Sequence, residues 1–133
     1  MLPQILILSS ELEYWHKLSG VVSRCGCQPV RCETIAGAKG LLTQYQIEVI
    51  VCDDVLPDGD FYALIKELKG AAWQTPVVVA SRLEHWDSYL EALVAGAFDY
   101  VVYPPYPREV ERAISDALVE SKSHGKTMAQ TAS

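Results

Sequence analysis

The sequence predicts a doubly wound α/β fold, in which helices cover both faces of a parallel five-stranded sheet. Two patterns support this prediction: short apolar runs of strand length alternate with longer segments of helical periodicity, and the alternation occurs five times. Parallel strands need crossover connections, which place helices on both faces of the sheet. With 133 residues, of which 50% are hydrophobic, the chain can bury the core of one domain without disulfides or metal.

The five predicted strands are short runs bounded by turn residues or acids. Strands that are buried on both faces of a sheet have nearly continuous apolar sequences. The first strand follows Met1 without a basic leader, so we expect a strand there, not a signal peptide, and a cytoplasmic protein. In chain order the strands are QILIL at 4–8, QPVRC at 28–32, EVIVC at 48–52, TPVVVA at 75–80 and DYVVY at 99–103.

The segments between the strands have the apolar spacing of amphipathic helices, which is clearest in the last three. Pro107 suits the first turn of the fifth helix, and Gly96 suits the end of the fourth. The predicted buried stripes are Phe61, Leu64, Ile65 and Leu68 in the third helix, Trp86, Tyr89, Leu90, Leu93 and Val94 in the fourth, and Val110, Ala113, Ile114, Ala117 and Leu118 in the fifth.

Composition argues against several classes of protein. The net charge of −6 and the lack of clustered bases argue against nucleic-acid binding by this domain. No run of about eighteen apolar residues is present to span a membrane. The four cysteines do not have zinc-ligand spacing and are expected to be free thiols. Residues 123–133 are polar and aperiodic, so we expect a domain at 1–122 followed by a disordered tail or linker.

Polar side chains stand where the predicted strands end. In doubly wound sheets the carboxyl ends of the strands share one edge, where ligands bind, so we expect these side chains to converge. They are Ser9, Ser10 and Glu11 after strand one, Asp53 and Asp54 after strand three, Ser81 after strand four, and Tyr103 with Pro104 after strand five.

This set resembles the receiver domain of bacterial two-component response regulators, over residues 4 to about 120. Two motifs carry the resemblance: DDVLPDGD, in which Asp53 stands four residues before Pro57, and GAFDYVVYPP, whose GAFDY is similar to the family's GADDY. The resemblance implies a flavodoxin-like sandwich with strand order 2-1-3-4-5 and phosphorylation of Asp53 by a histidine kinase. It also implies that Ser81 and Tyr100 are switch residues and that Pro104 follows a cis peptide bond.

The chain departs from the family's pattern at three positions. The family ends strand one with two acids that hold Mg²⁺, and these positions are Ser9 and Ser10 here. The family's lysine, which pairs with the phosphoryl group, is replaced by Tyr103. Phosphoryl transfer uses a metal and a cation to offset charge on the transferred group, and Mg²⁺ prefers carboxylate oxygens. The chain therefore has the features of a degenerate receiver.

We expect Mg²⁺ to bind weakly or not at all, and we expect no other cofactor. The resemblance leaves Asp53 and the Val55 carbonyl as metal ligands, with Glu11 or Asp54 as a makeshift third ligand. Asp54 points to the opposite strand face by the period of two, so we expect a solvated loop acid. For Ser81 the alternative to a switch hydroxyl is an ordinary turn former, and for Tyr100 the alternative to a switch is a packed core aromatic.

Three functions remain open, and none of them is enzymatic. The first is a receiver that accepts a phosphoryl group on Asp53. The second, which the lost charges favour, is a pseudo-receiver that binds a histidine kinase, another signalling protein or a second copy of itself through the helix 4–strand 5–helix 5 face. The third, from fold analogy alone, is a flavodoxin-like cofactor binder, although the acidic SSELEYW segment after strand one lacks a phosphate-binding loop.

Overall fold

Five parallel strands form one sheet in a computed structural model of the chain. The structure describes residues 2–82, 86–104 and 107–132, and for Trp86 and residues 123–132 it describes the backbone alone. The strands are β1 (Gln4–Leu8), β2 (Gln28–Cys32), β3 (Ile47–Asp53), β6 (Val77–Ser81) and β7 (Asp99–Val102), and a short hairpin joins β4 (Val55–Leu56) to β5 (Gly59–Asp60). The order β2-β1-β3-β6-β7 confirms the predicted 2-1-3-4-5 sheet.

In the described part of the chain, five helices cover the two faces of this sheet and divide the core into two layers. One layer joins the sheet to α2 (Ile35–Gln44), α3 (Phe61–Gly70) and α4 (Trp86–Ala95), and the other joins it to α1 (Leu12–Arg24) and α5 (Pro107–Ala132). No helix in the described segments is long and apolar enough to cross a membrane. All four cysteines are free thiols, as expected.

Helix α5 continues to Ala132, through the segment that the sequence analysis assigned to a polar tail. The backbone of residues 123–132 is therefore helical, and no helix end coincides with the predicted boundary after residue 122. The division into a domain at 1–122 and a separate tail stays a prediction.

The predicted apolar stripes are confirmed in α3 and α5 and are partly wrong in α4. The four stripe residues of α3 are buried, and so are four of the five in α5, with Leu118 half-buried. In α4, Leu90 is 44% exposed and Val94 is 86% exposed. Among the described side chains of α4, the small residue Ala92 is the one that is completely buried. The helix therefore contacts the sheet on the face that carries Ala92, and Leu90 and Val94 are exposed. The side chain of Trp86 lies outside the described residues.

The acidic loop after β3 caps two helices on this face, α2 before it in the chain and α3 after it. The carboxylate of Asp58 accepts hydrogen bonds from the backbone amides of Ile35 and Ala36 at 2.9 and 3.2 Å, at the start of α2. Asp60 is the N-cap of α3 and accepts a hydrogen bond from the amide of Ala63 at 3.0 Å. Carboxylates satisfy amides that have no partner within the helix. These two acids therefore have structural roles. Of the four aspartates between residues 53 and 60, Asp53 and Asp54 remain as candidates for the functional site.

We expect Asp58→Ala to lower the melting temperature at neutral pH, because the first amides of α2 lose their acceptor. The hydrogen bond from the Ile35 amide lowers the pKa of Asp58; partial desolvation opposes this, and the Ala36 amide adds to the lowering. A carboxylate with a lowered pKa stabilises the fold above its unfolded pKa of about 3.9. That contribution is lost as the pH falls through the folded-state value.

Thermal melting of wild type and variant across this pH range tests the prediction. The difference between them should be largest at neutral pH and should close in acid. Asp58→Asn keeps one acceptor oxygen and should lose less stability than Asp58→Ala. Identical melting of wild type and Asp58→Ala at neutral pH would show that the cap is not stabilising.

Candidate functional site

The predicted convergence of strand ends is present, and Asp53 lies at its centre. Asp53 is the last residue of β3 and is 3% exposed. Ser9, which follows β1 and is fully buried, donates its hydroxyl to Asp53 Oδ2 at 3.2 Å. The backbone amide of Asp54 donates to Asp53 Oδ1 at 2.8 Å. Both carboxylate oxygens are therefore engaged within the protein.

Arg82, which was not among the predicted site residues, brings a positive charge to this edge. Its Nη2 atom donates to Asp53 Oδ2 at 2.6 Å, and its Nη1 atom pairs with Glu11 Oε2. Its guanidinium carbon lies 4.4 Å from the ring centroid of Tyr14. The sequence feature that could have identified Arg82 is VVASR, which places a base directly after Ser81 at the carboxyl end of a strand, on an edge rich in acids.

The surroundings keep Arg82 charged and Tyr14 neutral. Partial burial lowers the pKa of Arg82, but the charge of Asp53, the hydrogen bond to it and the charge of Glu11 outweigh burial and raise the pKa overall. Burial, followed by the charge of Asp53, raises the pKa of Tyr14 well above its usual value. The Tyr14 hydroxyl stays protonated and donates to the backbone oxygen of Ala80 at 3.0 Å.

The expected Mg²⁺ ligands do not form a free carboxylate set. Asp53 Oδ2 is bonded to Arg82, and Glu11 is paired with Arg82 as well. Ser10 is exposed and lines an open cleft of about 470 Å³ together with Glu11, Asp53, Asp54, Val55 and Arg82. Within the described residues, no group of three or more His, Cys, Asp or Glu side chains is placed to hold a metal ion. The residues present do not fit Mg²⁺, which needs carboxylate oxygens that are free to coordinate.

Ser81 and Tyr100, the two switch candidates, lie next to each other. Tyr100 is 6% exposed, and its pKa is raised, chiefly by burial. Hydrogen bonds with the hydroxyls of Ser81 and Ser88 lower the pKa, and the charge of Asp54 adds to the raising. Its ring packs edge-on against Tyr89, with the centroids 6.2 Å apart. Packing accounts for this placement of Tyr100, and a switching role for either residue stays a prediction.

Asp54 differs from the expected solvated acid. It is half-buried, and its Oδ2 atom accepts a hydrogen bond from the Ser81 hydroxyl at 2.5 Å. The prediction was wrong because strand alternation describes residues within a strand, and Asp54 lies between the end of β3 and the start of β4. Asp53 and Asp54 are therefore held by different groups at the same edge.

Tyr103 packs against α1. Its ring is 6.1 Å from that of Tyr14, and its hydroxyl donates to the backbone oxygen of Lys17 at 3.4 Å. The bond between Tyr103 and Pro104 is a cis peptide bond, as the resemblance implied. The position that carries the family's lysine thus has a structural aromatic residue here, and a different residue, Arg82, brings positive charge to Asp53.

No family model matches the chain. Over 107 residues, or 80% of the chain, it is 28% identical to the transcriptional regulatory protein PhoP of Escherichia coli K12, and the match covers 48% of that protein. The virulence transcriptional regulatory protein PhoP of Shigella flexneri matches with the same identity and coverage. The chain thus spans about half the length of the curated relatives it matches.

Solved structures of receiver domains superpose closely on this chain. The receiver domain of the Francisella response regulator 1452 has a TM-score of 0.81 and 22% identity, over 90% of this chain and 98% of that one. The BeF3-activated N-terminal receiver domain of Klebsiella pneumoniae RstA has a TM-score of 0.78 and 20% identity, over 86% of this chain and 97% of that one. With its parallel sheet in the order 2-1-3-4-5, this chain has the fold of a response-regulator receiver domain.

Proposed function

We propose that the chain is a receiver module of two-component signalling that acts through protein contacts, without phosphorylation of Asp53. The 2.6 Å ion pair between Arg82 and Asp53 is the observation that carries this proposal. To accept a phosphoryl group, a carboxylate oxygen must reach the donor in line, with metal and cation offsetting the charge on the transferred group. Here Asp53 is 3% exposed and both of its oxygens have partners.

The receiver part of this proposal rests on the fold together with the sequence similarity to PhoP. Asp53 ends β3, Ser81 ends β6, and Tyr100 lies in β7 beside Ser81. A cytoplasmic location and a role without catalysis are part of the proposal. The net charge of −6 is unfavourable for binding nucleic acid directly.

The contact surface that we propose is the face formed by α4, β7 and α5. Leu90 and Val94 lie one turn apart on α4 and are both exposed. Apolar side chains grouped on the outer face of a helix favour contact with another protein. The partner is a histidine kinase, another signalling protein or a second copy of the chain.

A phospho-accepting receiver is the second candidate, and the adjacent pair Ser81 and Tyr100 favours it. In that function the phosphoryl donor has to displace Arg82 from Asp53 Oδ2. A cofactor binder gains no support, because Glu11, Asp53 and Asp54 line the cleft and repel a cofactor phosphate.

Chemical labelling tests the proposed function. Wild type and Asp53→Asn are incubated with acetyl phosphate and millimolar Mg²⁺, and the intact mass of each is measured by mass spectrometry. A receiver domain with the complete acid pair and lysine, treated in parallel, shows that the donor is active. We expect wild type to stay unmodified, like Asp53→Asn. A phosphoryl adduct on wild type that is absent from Asp53→Asn would show that Asp53 accepts a phosphoryl group and would contradict the proposal.

A further inference from the structure

We propose that Arg82 is a resident cation, which replaces a divalent metal at the acidic edge and blocks access to the Asp53 carboxylate. This inference deepens the proposed function and rests on it. The receiver fold and the side chains at this edge disagree, because three carboxylates line the cleft and a guanidinium is paired with two of them. The carboxylates belong to Glu11, Asp53 and Asp54.

Arg82 bridges two of these carboxylates with two different nitrogen atoms. Nη2 contacts Asp53 at the end of β3, and Nη1 contacts Glu11 at the start of α1. A guanidinium is a rigid planar fork, so one side chain can bind two acids at a fixed separation. A lysine ammonium is a single point charge and does not offer this geometry. The role is therefore specific to arginine, and Arg82 takes the space between the acids that a metal ion needs.

The aromatic side chain beneath Arg82 holds it in place. The guanidinium lies 4.4 Å above the Tyr14 ring, a distance at which the ring attracts a cation. Tyr14 is 4% exposed, and its hydroxyl is fixed by the bond to the Ala80 backbone oxygen. The supporting residue is thus packed and anchored, which orients Arg82 toward Asp53.

Removing Arg82 leaves the acids without this counter-charge. The Asp53 side chain is 4% exposed, while that of Arg82 is 39% exposed, so the buried partner is the one that loses its compensation. Carboxylates that crowd together without a cation repel each other and favour a divalent metal. The inference therefore predicts that loss of Arg82 creates a Mg²⁺ response that wild type lacks.

The full chain is compared as wild type, Arg82→Ala, Arg82→Lys and Arg24→Ala. Thermal melting is recorded in chelator and in millimolar Mg²⁺, and binding is measured by calorimetric titration with MgCl₂. Mg²⁺ should raise the melting temperature of Arg82→Ala and bind it at least about tenfold more tightly than wild type, or about 1.4 kcal/mol. Asp53→Asn added to Arg82→Ala should abolish the response.

The two other variants separate this role from a general effect of charge. Arg24 forms an exposed pair with Glu111 at 3.3 Å, so Arg24→Ala removes the same charge elsewhere and should not respond to Mg²⁺. Arg82→Lys keeps a cation near Asp53 and should respond less than Arg82→Ala. If Arg82→Ala does not fold, Arg82→Gln takes its place with the same expectation.

Equal Mg²⁺ affinity in wild type and a folded Arg82→Ala or Arg82→Gln overturns the inference. An equal response in Arg24→Ala overturns it too. Neither outcome contradicts the proposed function. The proposed function is contradicted by a different result, labelling of Asp53 by acetyl phosphate in wild type.

Discussion

Ser9→Asp should destabilise the chain by about 2–4 kcal/mol at neutral pH, a large effect for a single polar substitution. Ser9 is fully buried, and its hydroxyl oxygen is 3.2 Å from Asp53 Oδ2. An aspartate there places a second carboxylate against Asp53, while Arg82 is already shared between Asp53 and Glu11. Burial and the neighbouring negative charge both disfavour ionisation of the new group.

Chemical denaturation of Ser9→Asp, Ser10→Asp and wild type checks this prediction. Ser10 is exposed, so Ser10→Asp adds the same charge one residue away and should change stability by less than about 0.5 kcal/mol. The crowded carboxyl in Ser9→Asp has a raised folded-state pKa, so the loss of stability should shrink on acidification, as one group protonates. Equal losses in the two variants would contradict the placement of Ser9 against Asp53.

Gly59→Ala should destabilise the chain by about 2–3 kcal/mol, because the position combines backbone strain with a steric clash. Gly59 has a φ of +153°, which side-chain-bearing residues rarely adopt. A Cβ atom there would lie 2.9 Å from Ile35 Cδ1 and 3.1 Å from Ala63 Cβ. The residue lies between Asp58 and Asp60, so a shift of the backbone disturbs the caps of α2 and α3 together.

Gly40→Ala is the matched control for this substitution. Gly40 lies inside α2, and apart from its chain neighbours and the backbone of its own helix, a Cβ there meets no atom of the described residues within 4 Å. Alanine is the better helix former, so Gly40→Ala should raise stability by up to about 1 kcal/mol. Urea denaturation of both variants measures the two effects. Similar stability of Gly59→Ala and wild type would show that this loop relaxes without affecting the helix caps.

The sequence predicts the sheet and most of the core because both follow from periodicity. Continuous apolar runs define the strands, and the stripe from Phe61 to Leu68 defines the buried face of α3. The proximity of Ser9 and Asp53 follows from parallel topology, since carboxyl ends of strands share an edge. The strand order came from the resemblance to receiver domains.

Contacts that depend on side-chain reach were not predictable from periodicity. Arg82 is long and flexible, and its direction is decided by Tyr14 and two acids that are distant in the sequence. The sequence pattern also gave no sign that α4 would bury Ala92 and leave Val94 exposed, because a helical stripe does not specify which residue lies closest to the sheet. Similarly, the difference between the buried Ser9 and the exposed Ser10 appears only in the folded chain.

Because Arg82 blocks access to Asp53 in the proposed function, a mimic of the phosphoryl group should leave the conformation of the chain unchanged. Amide NMR spectra of wild type, recorded before and after addition of beryllofluoride and Mg²⁺, measure this response. Beryllofluoride activates the RstA receiver domain, which has the same fold. We expect superimposable spectra for wild type, and Asp53→Asn should give the same result. Shifts at Ser81, Tyr100 and α4 that occur in wild type and vanish in Asp53→Asn would show that Asp53 is open and the switch responds.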